Sequence, residues 1–181
     1  EVVKAKDVQI NRFEMVHAVK KVEDRFIVET SKATYETPYV VVATGYYDQP
    51  NELSVEGENL PHVYHYFKEA HPYFDTDVVI IGGKNSAVDA ALELNKAGAR
   101  VTVVYRGSEY STSVKPWILP EFDGLIRNGE ITMLFNTNVE KIDEEYVTVS
   151  TNGEQKTLKA DFIFAMIGYH PNHDFIRAMG V

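Results

Sequence analysis

Apolar residues follow two different rhythms along the chain. Residues 13–19, 25–30 and 33–37 alternate apolar with polar side chains between short charged stretches, which predicts three antiparallel strands in a meander. The denser apolar run at 39–43 predicts a buried strand. Residues 50–73 hold Pro50, Pro61 and Pro72 and predict a connector with little regular structure. The rhythm then changes. Val78, Val79, Ile80 and Ile81 run into Gly82-Gly83, after which Ala87, Val88, Ala91, Leu92 and Leu94 recur at helical spacing. This predicts a buried strand, a tight turn and a helix that stops at Gly98. Residues 100–106 predict the next parallel strand, 120–128 a short helix closed by Gly129, and 131–135 another buried strand. Residues 138–143, 146–151 and 155–159 predict a second meander, with Asn152-Gly153 as a hairpin turn. Residues 160–168 predict a buried strand ending in glycine, and 172–179 a short helix.

Composition narrows the classes. The chain has 181 residues, 44% of them hydrophobic, which is ordinary for a globular domain. A net charge of −9 argues against nucleic acid and anionic membranes as partners. No apolar run reaches the ~18 residues of a membrane span. No secretory leader is visible, so a cytoplasmic setting is expected. With no cysteine, the chain holds no disulfide, thiolate metal ligand or thiol nucleophile. His62, His65 and His71 are close in sequence, but a metal needs converging ligands, usually with a carboxylate or thiolate, so they read as surface or packed side chains and no metal is expected.

The candidate chemistry lies in the turn Gly82, Gly83, Lys84, Asn85, Ser86 and Ala87. A helix that starts straight after a strand presents unpaired backbone N–H groups and the positive end of its dipole, which suits a phosphate. Laid on the dinucleotide fingerprint, Gly82 is the first glycine and Ala87 the small closing residue, while Lys84 replaces the middle glycine. An ordinary strand-turn-helix without a ligand fits the same pattern. Downstream, Arg106 stands where an NAD site places an acid for the ribose 2′-OH. Its guanidinium favours a 2′-phosphate, with Ser108, Ser111 and Lys115 as further donors, so NADPH is expected over NADH. A solvated surface arginine is the alternative. Trp117 reads as packed at a core edge or near a ring ligand.

Residues 13–45 and 138–168 share one plan, a meander leading into a strand closed by glycine, and 162–169 mirrors 39–46. Two related nucleotide-binding units are implied, the first lacking its own strand-turn-helix. The expectation is a piece of a longer protein.

Three elements in order carry a resemblance: Ala43-Thr44-Gly45, the turn from Gly82 to Ala87, and Ile167-Gly168-Tyr169-His170-Pro171-Asn172. With these the chain resembles the thioredoxin reductase-like flavoprotein disulfide reductases, over nearly its whole length. The Gly82–Ala87 turn and the 114–120 segment, Val-Lys-Pro-Trp-Ile-Leu-Pro, look like those of the bacillithiol-disulfide reductases within that group. The resemblance implies an α/β chain: a Rossmann-like NAD(P)H-binding domain with an inserted β-meander, plus the remnant β-meander of an FAD domain. Its implied layout is 1–46 as the partial FAD-domain meander, 47–74 as connector and 75–181 as the NADPH domain. Thr44 and Gly45 would lie near the flavin, and Gly168 would let backbone lie against a cofactor. The implied activity passes hydride from NADPH to FAD and reduces a low-molecular-weight thiol disulfide, with no catalytic residue in this stretch and a homo-oligomer left open. The isolated stretch is expected to hold little or no FAD and to be inactive alone. Thioredoxin or ferredoxin-NADP reductases of the same fold, and a nucleotide-binding module without turnover, are the alternatives.

Overall fold

The structure, a computed structural model, describes residues 8–180. They form two compact units, one from 8–49 with 170–180 and the other Pro50–Tyr169.

The first unit is an antiparallel meander of β1 (Val16–Val22), β2 (Arg25–Thr30) and β3 (Thr34–Thr37), with a short helix at His173–Ala178 capped by the Asn172 side chain. The first strand starts later than its apolar pattern suggests and runs through the charged stretch. Phe13 has a φ of 53°, outside the strand region, while Lys20 continues the ladder opposite Ile27 and pairs with Glu29 at 2.7 Å. The predicted strand at 39–43 does not form. Tyr39 and Val41 are 83% and 88% exposed, and the segment has no ladder neighbour among the described residues. A strand buried on both faces needs neighbours to satisfy its N–H and C=O groups, and apolar content cannot replace them.

The second unit is built on a parallel sheet of β4 (Val63–Tyr64), β5 (Asp77–Ile81), β6 (Arg100–Val104), β7 (Ile131–Leu134) and β11 (Phe162–Ala165), in the order β4-β11-β5-β6-β7. The tract read as a connector supplies β4, which pairs with Ile163 and Phe164 at the sheet edge. Strand β5 shows why this sheet is central. Its side chains alternate, so Val78 and Ile80 face one layer and Val79 and Ile81 the other, all four nearly without solvent. On the first face lie α1 (Asn85–Lys96), through Ala87, Val88, Ala91 and Leu94, and α2 (Leu119–Arg127), through Phe122. On the second lies the antiparallel sheet β8 (Thr137–Ile142), β9 (Tyr146–Thr151) and β10 (Glu154–Lys159), through Ile142, Val147 and Val149. Each buried aliphatic side chain contributes roughly 1.5–3 kcal/mol. The β9–β10 turn is Asn152-Gly153 with φ of 51° and 87°, both positive as a two-residue hairpin of right-handed strands requires.

Helix α1 stops as its sequence suggests. Gly98 N–H donates to Asn95 O at 2.9 Å and Ala99 N–H to Leu94 O at 3.0 Å, a two-bond closure that satisfies the last carbonyls.

Candidate functional site

The order of the parallel strands reverses at β5. The chain leaves it through α1 to β6 and β7 on one side, while β11 and β4 fill the other side. Crevices at such reversals open beyond the carboxyl ends of the strands. Gly82 sits at that point. Its N–H donates to Val104 O at 2.9 Å, extending the ladder to β6 by one residue. A Cβ on it would strike the Met166 carbonyl at the end of β11, and its φ of 139° is one that L side chains rarely adopt. Glycine is therefore what lets β5 and β11 approach at the mouth of the crevice.

The next residue is bare for a different reason. A Cβ on Gly83 would overlap the Tyr105 ring, and one on Gly107 would meet the same ring from its other end. Tyr105 is itself fixed through its backbone, donating to Leu134 O at 2.9 Å and accepting from Thr137 N–H at 3.1 Å.

Lys84 takes the cap position of α1 with φ −106° and ψ −173°, extended backbone open to any residue, and its side chain makes no cap bond. A lysine in place of the fingerprint's middle glycine is thus free of backbone strain. The first amide to bond back along the helix is Val88 N–H, to Lys84 O at 3.1 Å. The amides of Asn85, Ser86 and Ala87 precede it and have no intrahelical acceptor. Ala87 is fully buried, and even a Cβ on Gly82 would lie only 3.4 Å from its methyl group, so the small residue lets α1 pack close on β5.

The remaining predicted residues divide. Arg106 lies two residues beyond β6, is exposed and makes no ion pair among the described residues. Lys115 reaches the same helix but is engaged: its Nζ lies 3.2 Å from Asp89 Oδ2. Its backbone N–H donates to Asn85 Oδ1 at 2.9 Å, and Asn85 Nδ2–H donates to Ser113 O at 2.7 Å. Gly168 lies beyond the end of β11, where its carbonyl accepts Asn51 N–H at 3.0 Å and Asn51 Nδ2–H bonds Ile167 O at 3.2 Å. Thr44 and Gly45 belong to the first unit and are exposed there; a Cβ on Gly45 would touch nothing within 4 Å. Trp117 is 76% exposed rather than packed at a core edge, because Ile118 and Leu119 supply the apolar contacts at the start of α2.

A dense ionic cluster sits at the opposite end of the strands, where β5 and β6 begin. There Asp77 accepts from Arg100 Nε at 2.7 Å and Lys159 Nζ at 2.8 Å, which pulls its carboxyl down to about 2. On the crevice side, burial and then the hydrogen bond to Asp123 push the Tyr110 hydroxyl up to about 12, so it stays a donor.

Tyr105, Asn51 and Asp89 escaped the reading from sequence. Only Tyr105 left a trace there, as an aromatic residue followed two places later by a glycine. No cluster of three or more potential metal ligands occurs among the described residues, and none of the helices described is long and apolar enough to cross a membrane.

Comparison with known proteins gives the family and the fold. The family model for pyridine nucleotide-disulphide oxidoreductases matches residues 1–181. The chain is 63% identical over 164 residues to the bacilliredoxin reductase Bdr of Bacillus subtilis, covering 90% of this chain and 50% of that one. It superposes on the bacillithiol disulfide reductase Bdr of Staphylococcus aureus with a TM-score of 0.96 at 58% identity, over 99% of this chain and 55% of that one. Against the thioredoxin reductase of T. acidophilum the TM-score is 0.76 at 26% identity, over 99% and 60%. The chain therefore spans about half the length of the curated relatives it matches.

Proposed function

The chain belongs to the pyridine nucleotide-disulphide oxidoreductase family, and from that premise we propose that its Pro50–Tyr169 unit is the Rossmann-like NADPH-binding domain of a flavoprotein disulfide reductase. The observation that carries the reading is the bare backbone at Gly82 and Gly83, leading straight into helix amides that have no intrahelical partner. A pyrophosphate fits there by charge and by hydrogen bonding. Asn85, Ser86 and Ala87 would donate their backbone N–H groups to it, and Arg106, with no ion pair among the described residues, would take the ribose 2′-phosphate. Lys115 would add a second cation, and Gly168 a stretch of backbone without a side chain to hold the cofactor off.

In the whole protein NADPH would supply the hydride, and a bound FAD would supply the means of passing its electrons to a disulfide. In this reading the chain's residues bind and orient the nucleotide. The meander of β1–β3, with Thr44 and Gly45 after it, would be part of the FAD domain. The relatives named as bacillithiol disulfide reductases point to a low-molecular-weight thiol disulfide as substrate. A cytoplasmic setting follows from the same reading.

The test is a titration of the whole protein with NADPH and with NADH, followed through nucleotide fluorescence. Arg106→Ala should weaken NADPH about tenfold or more and NADH less than about twofold. Equal weakening of both would remove the 2′-phosphate from the reading.

A further inference from the structure

The loop 111–115 is tied to α1 by side chains. Asn85 uses both ends of its amide, donating to Ser113 O at 2.7 Å and accepting from Lys115 N–H at 2.9 Å. Inside the loop, Val114 N–H donates to Ser111 O at 3.0 Å, and the Val114 side chain is buried in the helical face of the core. The backbone at Lys115 is therefore fixed beside the start of the helix. Its ammonium is drawn one turn along, to Asp89, which lies four residues after Asn85 and so on the same face of α1. Both partners of that ion pair are half-exposed. Pairs of this kind contribute little, whereas a doubly charged phosphate offers an ammonium a stronger acceptor.

We propose that Asn85 and Asp89 are positioning residues that together govern Lys115. Asn85 fixes where the lysine stands, and Asp89 holds its ammonium back until a phosphorylated ribose draws it away. Preference for the 2′-phosphate is then set partly by an acid that touches no nucleotide. The inference rests on the NADPH reading above and deepens it.

The experiment is calorimetric titration of the whole protein with 2′,5′-ADP and with 5′-AMP. Wild type is measured first: no preference for 2′,5′-ADP sinks the NADPH reading and this one with it. Given that preference, Asp89→Asn should tighten 2′,5′-ADP about two- to fivefold and leave 5′-AMP unchanged. Lys115→Ala should weaken 2′,5′-ADP alone. The gain from Asp89→Asn should vanish in the Lys115→Ala background, and also in the Asn85→Ala background. A gain that survives without Lys115 would show a general field effect of the lost negative charge and overturn the proposal. So would the absence of any gain, or equal changes for the two ligands while wild type keeps its preference.

Discussion

The ring of Tyr105 occupies the space where a side chain on Gly83 would have to stand. One residue thus dictates another across the two strands that frame the crevice, and the turn holds its shape by exclusion. Gly83→Ala should cost about 1–3 kcal/mol, seen as a fall in thermal midpoint of about 3 °C per kcal/mol. Adding Tyr105→Ala should recover part of that loss, since the two changes share one space. If the double variant melts at the sum of the two single losses, the ring does not set the turn.

The segment before β4 folds around a buried carboxylate. Glu58 is 7% exposed and accepts the N–H of Leu53 at 2.6 Å and of Ser54 at 2.7 Å. Glu58→Ala should leave two amides without their acceptor and lower stability by about 2–4 kcal/mol, with Glu58→Gln costing less because one carbonyl oxygen remains. Denaturant midpoints compare the three proteins, and equal stability of the Ala and Gln variants would remove this role.

Beside it, a Cβ on Gly57 would strike the Ile142 carbonyl, and the residue has a φ of 86°. Gly57→Ala should destabilise by about 3 kcal/mol or more, because backbone on both sides must move. A melting point within about 2 °C of wild type would show that the turn yields easily.

Acid should loosen the amino ends of the strands. The Asp77 carboxyl is held at about 2 by Arg100 and Lys159, below its ordinary 3.8, and its side chain is 21% exposed. A depressed carboxyl contributes stability that is full above the unfolded value and is lost as pH falls from about 5 to about 2. After allowance for screening by solvent the contribution is about 1 kcal/mol. Asp77→Asn should be less stable than wild type at pH 7 and draw level with it only below about pH 2, as read by urea midpoints across that range. A gap that stays constant with pH would refute the assignment.

These 181 residues by themselves should retain little or no FAD, since they span about half the length of the relatives they match. Visible absorbance of the purified chain measures this, and one flavin per chain would contradict it.

Legibility in the sequence followed how local each cause was. The run Val78–Ile81 and the spacing of Ala87, Val88, Ala91 and Leu94 placed β5 and α1, because burial on both faces and helical periodicity are written in adjacent residues. The stop at Gly98 and the Asn152-Gly153 hairpin were legible for the same reason. Residues 39–43 carry an equally apolar run and form no strand, because a ladder depends on neighbours that a local pattern cannot reveal. Strand β4 is two residues long, too short for any period to show. Lys115 was placed near the crevice from its position in the chain, but its pairing with Asp89 depends on a loop path that only the folded chain determines. The clamps by Asn85, Asn51 and Glu58 are illegible for the same reason: a polar side chain shows what it can bond, never what will stand beside it.

Gly82 rests against a carbonyl, Met166 O, that emerges from the ribosome long after it. A nascent chain that has already finished the first strand, turn and helix still lacks the wall that presses on that glycine. The turn at Gly82 is therefore expected to take its final shape only when synthesis of the unit is nearly complete.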